Sequence, residues 1–363
     1  MKTDFVIVWR VVEFCSLACP FCGFSREVAR PRGLVPTEWV IHLADVLRRY
    51  VSQRNRNVLL SWLGGEPLEW PGLTGLADAC GGCPGLQLGI TTHGRRLVEP
   101  QVRRELLARY HQVTVSIDGP EDFHDRLRGM KGLHRQVQAG VRQLRSEDPQ
   151  RRLLLRVNCV LMRDNIDSFD VWSEELAHWG FDELTFNQLG GVERPEFYAA
   201  HRLLPEQVTR FVERLPALRE RLGGLGLAVL GNDQYLRRID CSARGASIPL
   251  EDCEPGARFL FLDGRGLVSP CSFTAQVYGI PVTEIRSPDD LDQLPARFSE
   301  MRRTYRHSAC FDCHATHVFD KFMSLPSGLT PPATPGDPHD RKAVSAGVGS
   351  PDQPAGPSDA TRI

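Results

Sequence analysis

A chain of 363 residues is long enough for a large hydrophobic core, and its length suggests two domains with a tail. Its net charge of -1, with basic and acidic residues interspersed, gives no basic stripe for nucleic acid. Its apolar runs, such as Phe5-Val-Ile-Val-Trp9, are far too short to span a bilayer.

The N-terminus has neither the charged n-region nor the long apolar h-region of a secretory signal, so a cytosolic, cytoplasmic protein is expected. In a reducing cytosol, eleven Cys point to metal binding or redox chemistry rather than disulfides.

Residues 5–12 are rich in β-branched and aromatic side chains and read as a strand. The strand runs into Cys15-Ser-Leu-Ala-Cys19-Pro-Phe-Cys22, three thiols within eight residues. Thiolates suit iron–sulfur clusters and zinc. Clusters are normally held by four Cys, so three would leave one iron open to a substrate-like molecule. A structural zinc site is closed and needs a fourth Cys or His. The next in sequence are Cys80 and His42, and His42 falls on an expected helix.

That helix opens at Pro36-Thr37-Glu38 and carries Val40, Leu43, Ala44, Leu47 and Val51 at helical spacing. Further strands are expected at 57–63, 86–91, 112–117, 153–161 and 183–186, alternating with helical patterns. This is the signature of a parallel α/β sheet, whose sites form at the C-terminal strand ends. The Cys loop, Gly64-Gly65-Glu66-Pro67, Thr92-His93-Gly94, Asp118-Gly119 and Asn187-Gln188 all lie at such ends.

The C-x3-C-x2-C spacing, with Phe21 before the last Cys, resembles the cluster loop of the radical SAM superfamily. The resemblance implies a partial (β/α)6 barrel. It also implies a 4Fe–4S cluster on Cys15, Cys19 and Cys22 whose open iron binds S-adenosylmethionine and cleaves it to a deoxyadenosyl radical. Gly64, Gly65, Glu66 and Pro67 resemble the motif that contacts the methionine amino group. Val115-Ser116-Ile117-Asp118-Gly119 and the residues beyond resemble the SPASM/twitch branch. By that likeness Ser116 and Arg128 would touch the ribose and carboxylate of the cofactor, and Asn158 would face the adenosine. On the residues alone, Asp118-Gly119-Pro120 is an ordinary turn and Arg128 a surface side chain. His93 departs from the Asn usual after Thr-Thr in this family's loop.

After Asn187 the rhythm stops. Residues 203–221 form an amphipathic helix, and 223–231 a Gly/Leu connector. Cys241, Cys253, Cys271, Cys310 and Cys313 follow. Residues 258–270 read as two short strands around an Asp-Gly turn, a hairpin. Cys253 and Cys271 flank it, and Cys310-Phe-Asp-Cys313 is a C-x2-C pair. Four thiolates from this set can surround one cluster, or one zinc as in a zinc ribbon. The pattern resembles the twitch domain, with one auxiliary 4Fe–4S cluster on Cys253, Cys271, Cys310 and Cys313. The expected domains are a barrel over 1–225, a twitch domain over 226–324 and a disordered tail over 325–363, where Pro, Gly, Ser, Ala and Asp dominate. His314 and His317 are expected to be local to the C-x2-C turn.

The twitch enzymes of this likeness include dehydrogenases and epimerases of aminocyclitol and aminoglycoside antibiotic intermediates. The resemblance therefore implies a sugar or aminocyclitol substrate oxidised from carbinol to ketone, the electron passing to the auxiliary cluster. An epimerase would instead return hydrogen from a Cys thiol. Cys241 and Cys159 are the candidate donors, although strand alternation turns Cys159 away from the face of Asn158. A peptide-modifying radical SAM enzyme is a further alternative. Flavodoxin or ferredoxin is the reductant the family implies.

Overall fold

The structure, a computed structural model, describes residues 3–248, 250–319 and 321. The expected tail over 325–363 lies outside the described residues.

Among the described residues, ten strands make one sheet. They are β1 (Phe5–Val12), β2 (Val58–Gly64), β3 (Leu86–Thr92), β4 (Gln112–Ser116), β5 (Leu154–Leu161), β6 (Glu183–Gln188), β7 (Ala228–Val229), β8 (Phe259–Leu262), β9 (Leu267–Ser269) and β10 (Ile280–Pro281). Their order in space is β10-β9-β8-β1-β2-β3-β4-β5-β6-β7. Pairing is parallel from β8 through β1 to β7 and antiparallel from β8 to β10.

Helices follow each of the first six strands: α1 (Thr37–Arg54), α2 (Leu73–Cys80), α3 (Pro100–Arg109), α4 (Glu121–Arg128), α5 (Leu133–Glu147), α6 (Phe169–Ala177), α7 (Pro195–His201) and α8 (Pro205–Gly224). Then come α9 (Asp233–Ala243), α10 (Ala275–Tyr278) and α11 (Pro288–Thr304). α1 stops at Asn55, whose left-handed backbone (φ 48) ends the helix before β2. α11 starts on a reciprocal Ser287–Asp290 capping box.

The register divides the sheet into two unlike faces. Trp9, Trp62, Ile90, Val115, Val157 and Phe186 lie on one side and are buried against the helices. Each such side chain contributes roughly 1.5–3 kcal/mol of burial. Arg10, Thr91, Ser116, Asn158 and Asn187 occupy the alternate positions and are only half-buried. A sheet face that is polar and incompletely covered is where a ligand can lie.

The six-strand alternation and the hairpin, now β8 and β9, form as expected. Three features differ. The connector at 223–231 contributes the two-residue strand β7 beside β6. Residues 233–243 fold as α9, capped by the Asn232 side chain on the Tyr235 amide. The hairpin joins the main sheet, β8 lying parallel to β1 from Val6 to Trp9.

Candidate active site and cluster centres

β1 ends in the first cysteine loop. Cys19 is buried, and Cys15 and Cys22 are half-buried. The Leu17 amide donates to Cys15 Sγ at 3.5 Å and the Phe24 amide to Cys22 Sγ at 3.4 Å. Burial pushes the Cys15 thiol up to about 12 and raises Cys19 and Cys22 as well. Arg128 works against the rise at Cys19, and the Phe24 amide against that at Cys22. These thiols keep their protons until a metal displaces them.

Three distant segments fasten the loop. The first is the strand end after β2. Gly65 N donates to Val12 O at 2.8 Å and Glu66 N to Phe14 O at 2.9 Å. A Cβ on Gly64 would overlap the Val12 carbonyl, and one on Gly65 the Phe14 carbonyl. These glycines permit close approach of two protein backbones. The carboxylate of Glu66 is fully buried and accepts from Leu68 N (3.0 Å), Thr92 Oγ1 (2.7 Å) and His93 N (2.8 Å). Pro67 starts a single 3-10 turn, Pro67–Glu69. It carries Glu69 to the loop, where Glu69 accepts from Ser16 N at 3.1 Å and from Ser16 Oγ. Burial alone would raise the Glu69 pKa, but Ser16 and His93 outweigh it and hold the carboxyl below its ordinary value. His93 Nδ1 accepts from Arg95 N at 3.2 Å, so Nε2 carries the ring proton. That buried Nε2 lies 3.3 Å from Glu66 and 3.5 Å from Glu69, directed well at neither.

The second fastening is Arg128, the last residue of α4. It is 8% exposed, not a surface side chain. Its guanidinium pairs with fully buried Asp118 at 2.6 Å, reaches Cys19 Sγ at 3.9 Å and lies over the Phe21 ring. Its carbonyl accepts from Ala18 N. Burial disfavours the charge, but Asp118 and Cys19 outweigh burial and hold the pKa above the ordinary arginine range. Asp118 also accepts from Val160 N at 2.9 Å, so Asp118-Gly119-Pro120 is a tie between β4 and β5 as well as a turn.

The third is Glu193, after β6, which accepts from Gly23 N at 2.7 Å. A side chain on Gly23 would strike that carboxylate.

Ser116 and Asn158 are register partners on the polar face. Asn187 Nδ2 donates to Asn158 Oδ1 at 3.2 Å. Lys321 Nζ donates to Asn158 Oδ1 at 3.1 Å and to Asn187 Oδ1 at 2.5 Å. Burial drives the Lys321 pKa well below its ordinary value, and nearby Arg156 adds to the effect. Cys159 is fully buried on the other face, its Sγ 3.8 Å from Asn165 Nδ2. Burial keeps its thiol well above the ordinary range.

Cys253, Cys271, Cys310 and Cys313 line one cavity, partly open to solvent. Burial pushes Cys253 up to about 11 and raises Cys271 and Cys313. Thr274 Oγ1 lies 3.2 Å from Cys271 Sγ. Cys241 is not among the lining residues; it sits on α9 beside Arg244. Among the described residues, no three His, Cys, Asp or Glu converge closely enough to share a single metal ion. A tetrahedral zinc would need ligand sulfurs at about 2.3 Å from one point, whereas a cluster is several atoms wide.

His317 stacks on Phe259 at 4.1 Å. His314 contacts its own turn, its Nε2 lying 3.3 Å from Asp312 Oδ2, but it also reaches beyond it. Its Nδ1 meets Gln188 Nε2 at 3.1 Å and its Nε2 meets Arg238 at 2.8 Å.

Glu69, Glu193, Lys321 and Arg238 escaped the sequence reading. Glu69 had a signal, since it lies two residues past the Gly64-Gly65-Glu66-Pro67 motif. The others act across long sequence separations and leave no local pattern.

Residues 9–171 match the family model of the radical SAM superfamily. The chain has the radical SAM α/β fold. Members of the superfamily are SAM-dependent enzymes. The sporulation killing factor maturation protein SkfB of Bacillus subtilis (strain 168) is 23% identical over 305 residues, 83% of this chain and 67% of that protein. The Fe-coproporphyrin III synthase of Methanosarcina barkeri is 27% identical over 170 residues, 47% of this chain and 41% of that one. A pre-heme d1 synthase of Dinoroseobacter shibae matches over 32% of its own length. The chain thus spans less than half the length of these last two relatives. Among solved structures, Streptococcus suis SuiB bound to precursor peptide SuiA aligns with a TM-score of 0.61 at 15% identity, over 88% of this chain and 71% of SuiB. The anSMEcpe structure with bound AdoMet aligns with a TM-score of 0.59 at 17% identity, over 82% and 83%. Among the described residues, no helix is long and apolar enough to cross a membrane.

Proposed function

We propose that the protein is a radical SAM oxidoreductase with a radical-generating 4Fe–4S cluster on Cys15, Cys19 and Cys22 and an auxiliary 4Fe–4S cluster on Cys253, Cys271, Cys310 and Cys313. The observation that carries this reading is the division of the thiols: three on the loop at the end of β1, four around one separate cavity. When bound, the first cluster and SAM supply the power to abstract hydrogen from a substrate carbon.

The chain's own residues do the rest. Glu69, Arg128 and Glu193 hold the loop in place, and Arg128 puts positive charge beside its thiolates. Ser116, Asn158 and Asn187 offer hydrogen bonds along the polar face. The desolvated amine of Lys321 is suited to hold or accept a proton there.

The substrate we favour is a peptide. SkfB, whose match runs through most of this chain, is named a maturation protein. SuiB and anSMEcpe have each been solved with a peptide bound. The second reading is oxidation of a sugar or aminocyclitol carbinol. Lys321 favours it, since its buried amine lies beside Asn158 and Asn187 on the polar face, where it would meet a substrate hydroxyl. Epimerisation has less support, because Cys159 lies on the face away from Asn158. A flavodoxin or ferredoxin is the proposed reductant.

Anaerobic reconstitution with SAM and dithionite tests the core of this reading by release of deoxyadenosine. A scaffold protein releases none. A peptide panel and an aminocyclitol panel then separate the substrates. Peptide oxidation lowers peptide mass in step with deoxyadenosine, and carbinol oxidation gives one ketone per deoxyadenosine. Solvent deuterium at a retained carbinol carbon, lost in Cys241→Ala, would instead identify the epimerase.

A further inference from the structure

Arg238, on α9, is 2% exposed and is not a residue of the polar face. Its Nη2 meets His314 Nε2 at 2.8 Å and Asp312 Oδ1 at 3.1 Å. Both partners belong to the loop of the Cys310–Cys313 pair, Asp312 inside it and His314 just after it.

Arginine can only donate, so His314 Nε2 accepts. With Nε2 accepting, the ring proton sits on Nδ1; Nε2 also lies 3.3 Å from Asp312 Oδ2. That proton points at the Gln188 amide, which therefore presents its oxygen. The chain Gln188–His314–Arg238–Asp312 thus ties the end of β6 to the second cysteine loop.

What the tie leaves over is informative. Nε and Nη1 of Arg238 are buried and find no hydrogen-bond partner among the described residues. A buried donor left unmet is costly to the fold. Asp312, the one carboxylate paired with Arg238 among the described residues, is 40% exposed and so only partly offsets a fully buried charge. Arg238 Nη2 contacts Asp312 and His314, the residues on either side of Cys313. A buried cation with spare donors beside a four-thiolate set is matched by an anionic cluster there.

We propose that Arg238 is a positioning residue of the auxiliary centre, holding the Cys310–Cys313 loop and raising the reduction potential of the cluster that the four thiolates bind. The proposal rests on the auxiliary-cluster reading above. Positive charge near a cluster stabilises its reduced, more negative form, so the cluster accepts an electron more readily.

The test uses the full chain with Cys15, Cys19 and Cys22 replaced by Ala, reconstituted anaerobically, so that the second set alone holds iron. Iron content and a spectroelectrochemical titration are read. Arg238→Met should keep the iron and move the midpoint to a more negative potential. Arg238→Lys, which keeps the charge, should stay near the parent. Asp312→Asn, at a partly exposed site, should move the midpoint the opposite way, and it decides the matter if Arg238→Met fails to fold. An unchanged midpoint in Arg238→Met with full iron overturns the proposal, as does a negative shift in Asp312→Asn. A parent without iron overturns the auxiliary-cluster reading itself, and the proposal with it.

Discussion

Cys15, Cys19 and Cys22 sit on a loop fastened from outside by Glu69, Arg128 and Glu193. Cys253, Cys271, Cys310 and Cys313 come from a hairpin and two flanking loops and line one cavity between them. The first set has three thiols and lies at the end of β1, in the sheet whose polar face carries Ser116 and Asn158. The second has four, with Phe273, Tyr278 and His317 among their neighbours. An incomplete ligand set needs a scaffold to keep its open side aimed. A complete one is shaped chiefly by what it encloses.

The comparison breaks most sharply if the two sets prove interchangeable. Replacing Cys15, Cys19 and Cys22 by Ala should abolish deoxyadenosine formation and leave about half the iron. Replacing Cys253 and Cys271 by Ala should leave deoxyadenosine formation but end turnover of substrate. Deoxyadenosine from the first variant would overturn the division of labour.

Arg128→Met strands buried Asp118 and should cost about 3–5 kcal/mol in urea unfolding. It should also lower iron at the first site while sparing the second. Equal loss at both sites would mean that Arg128 serves the whole fold and not the loop.

Gly65→Ala drives a methyl into the Phe14 carbonyl and should cost about 1–3 kcal/mol. Gly223→Ala, with open space around its Cβ position, is the matched control and should change little. Iron retained at the first site in Gly65→Ala would show that the loop does not depend on this contact.

The smallest effect concerns the second region. Burial lowers the His317 pKa to about 4. A histidine held neutral by the fold contributes stability that is full above its unfolded value near 6.5. That contribution is withdrawn as pH falls from there towards the folded value. His317→Phe keeps the stack on Phe259 and removes the titration. Its melting temperature should therefore fall less steeply than the parent's between pH 6.5 and 4. Parallel curves would sink this assignment.

Much of the fold was legible because the signals are periodic. β1 could be read from its own residues, and α1 from the spacing of Val40 to Val51. β7 could not, since two residues carry no period and its pairing with β6 comes from the register of Leu184 with Val229. The site was legible where chemistry is written in adjacent letters, as in Cys15 to Cys22. It was not where a residue works through distance. Arg128 read equally well as surface, because nothing local shows Asp118 turning to meet it. His314 read as local only, because Gln188, its second partner, lies 126 residues away.

One consequence follows from β1. Its end carries the first cysteine loop, and its edge pairs with β8, whose hairpin leads to Cys271. Both cysteine sets therefore hang from a single strand. Their separation is fixed by backbone hydrogen bonds, not by a linker. The gap between the two cysteine sets is therefore set by the sheet itself. Insertions in the surface loops could reshape substrate choice without altering that gap.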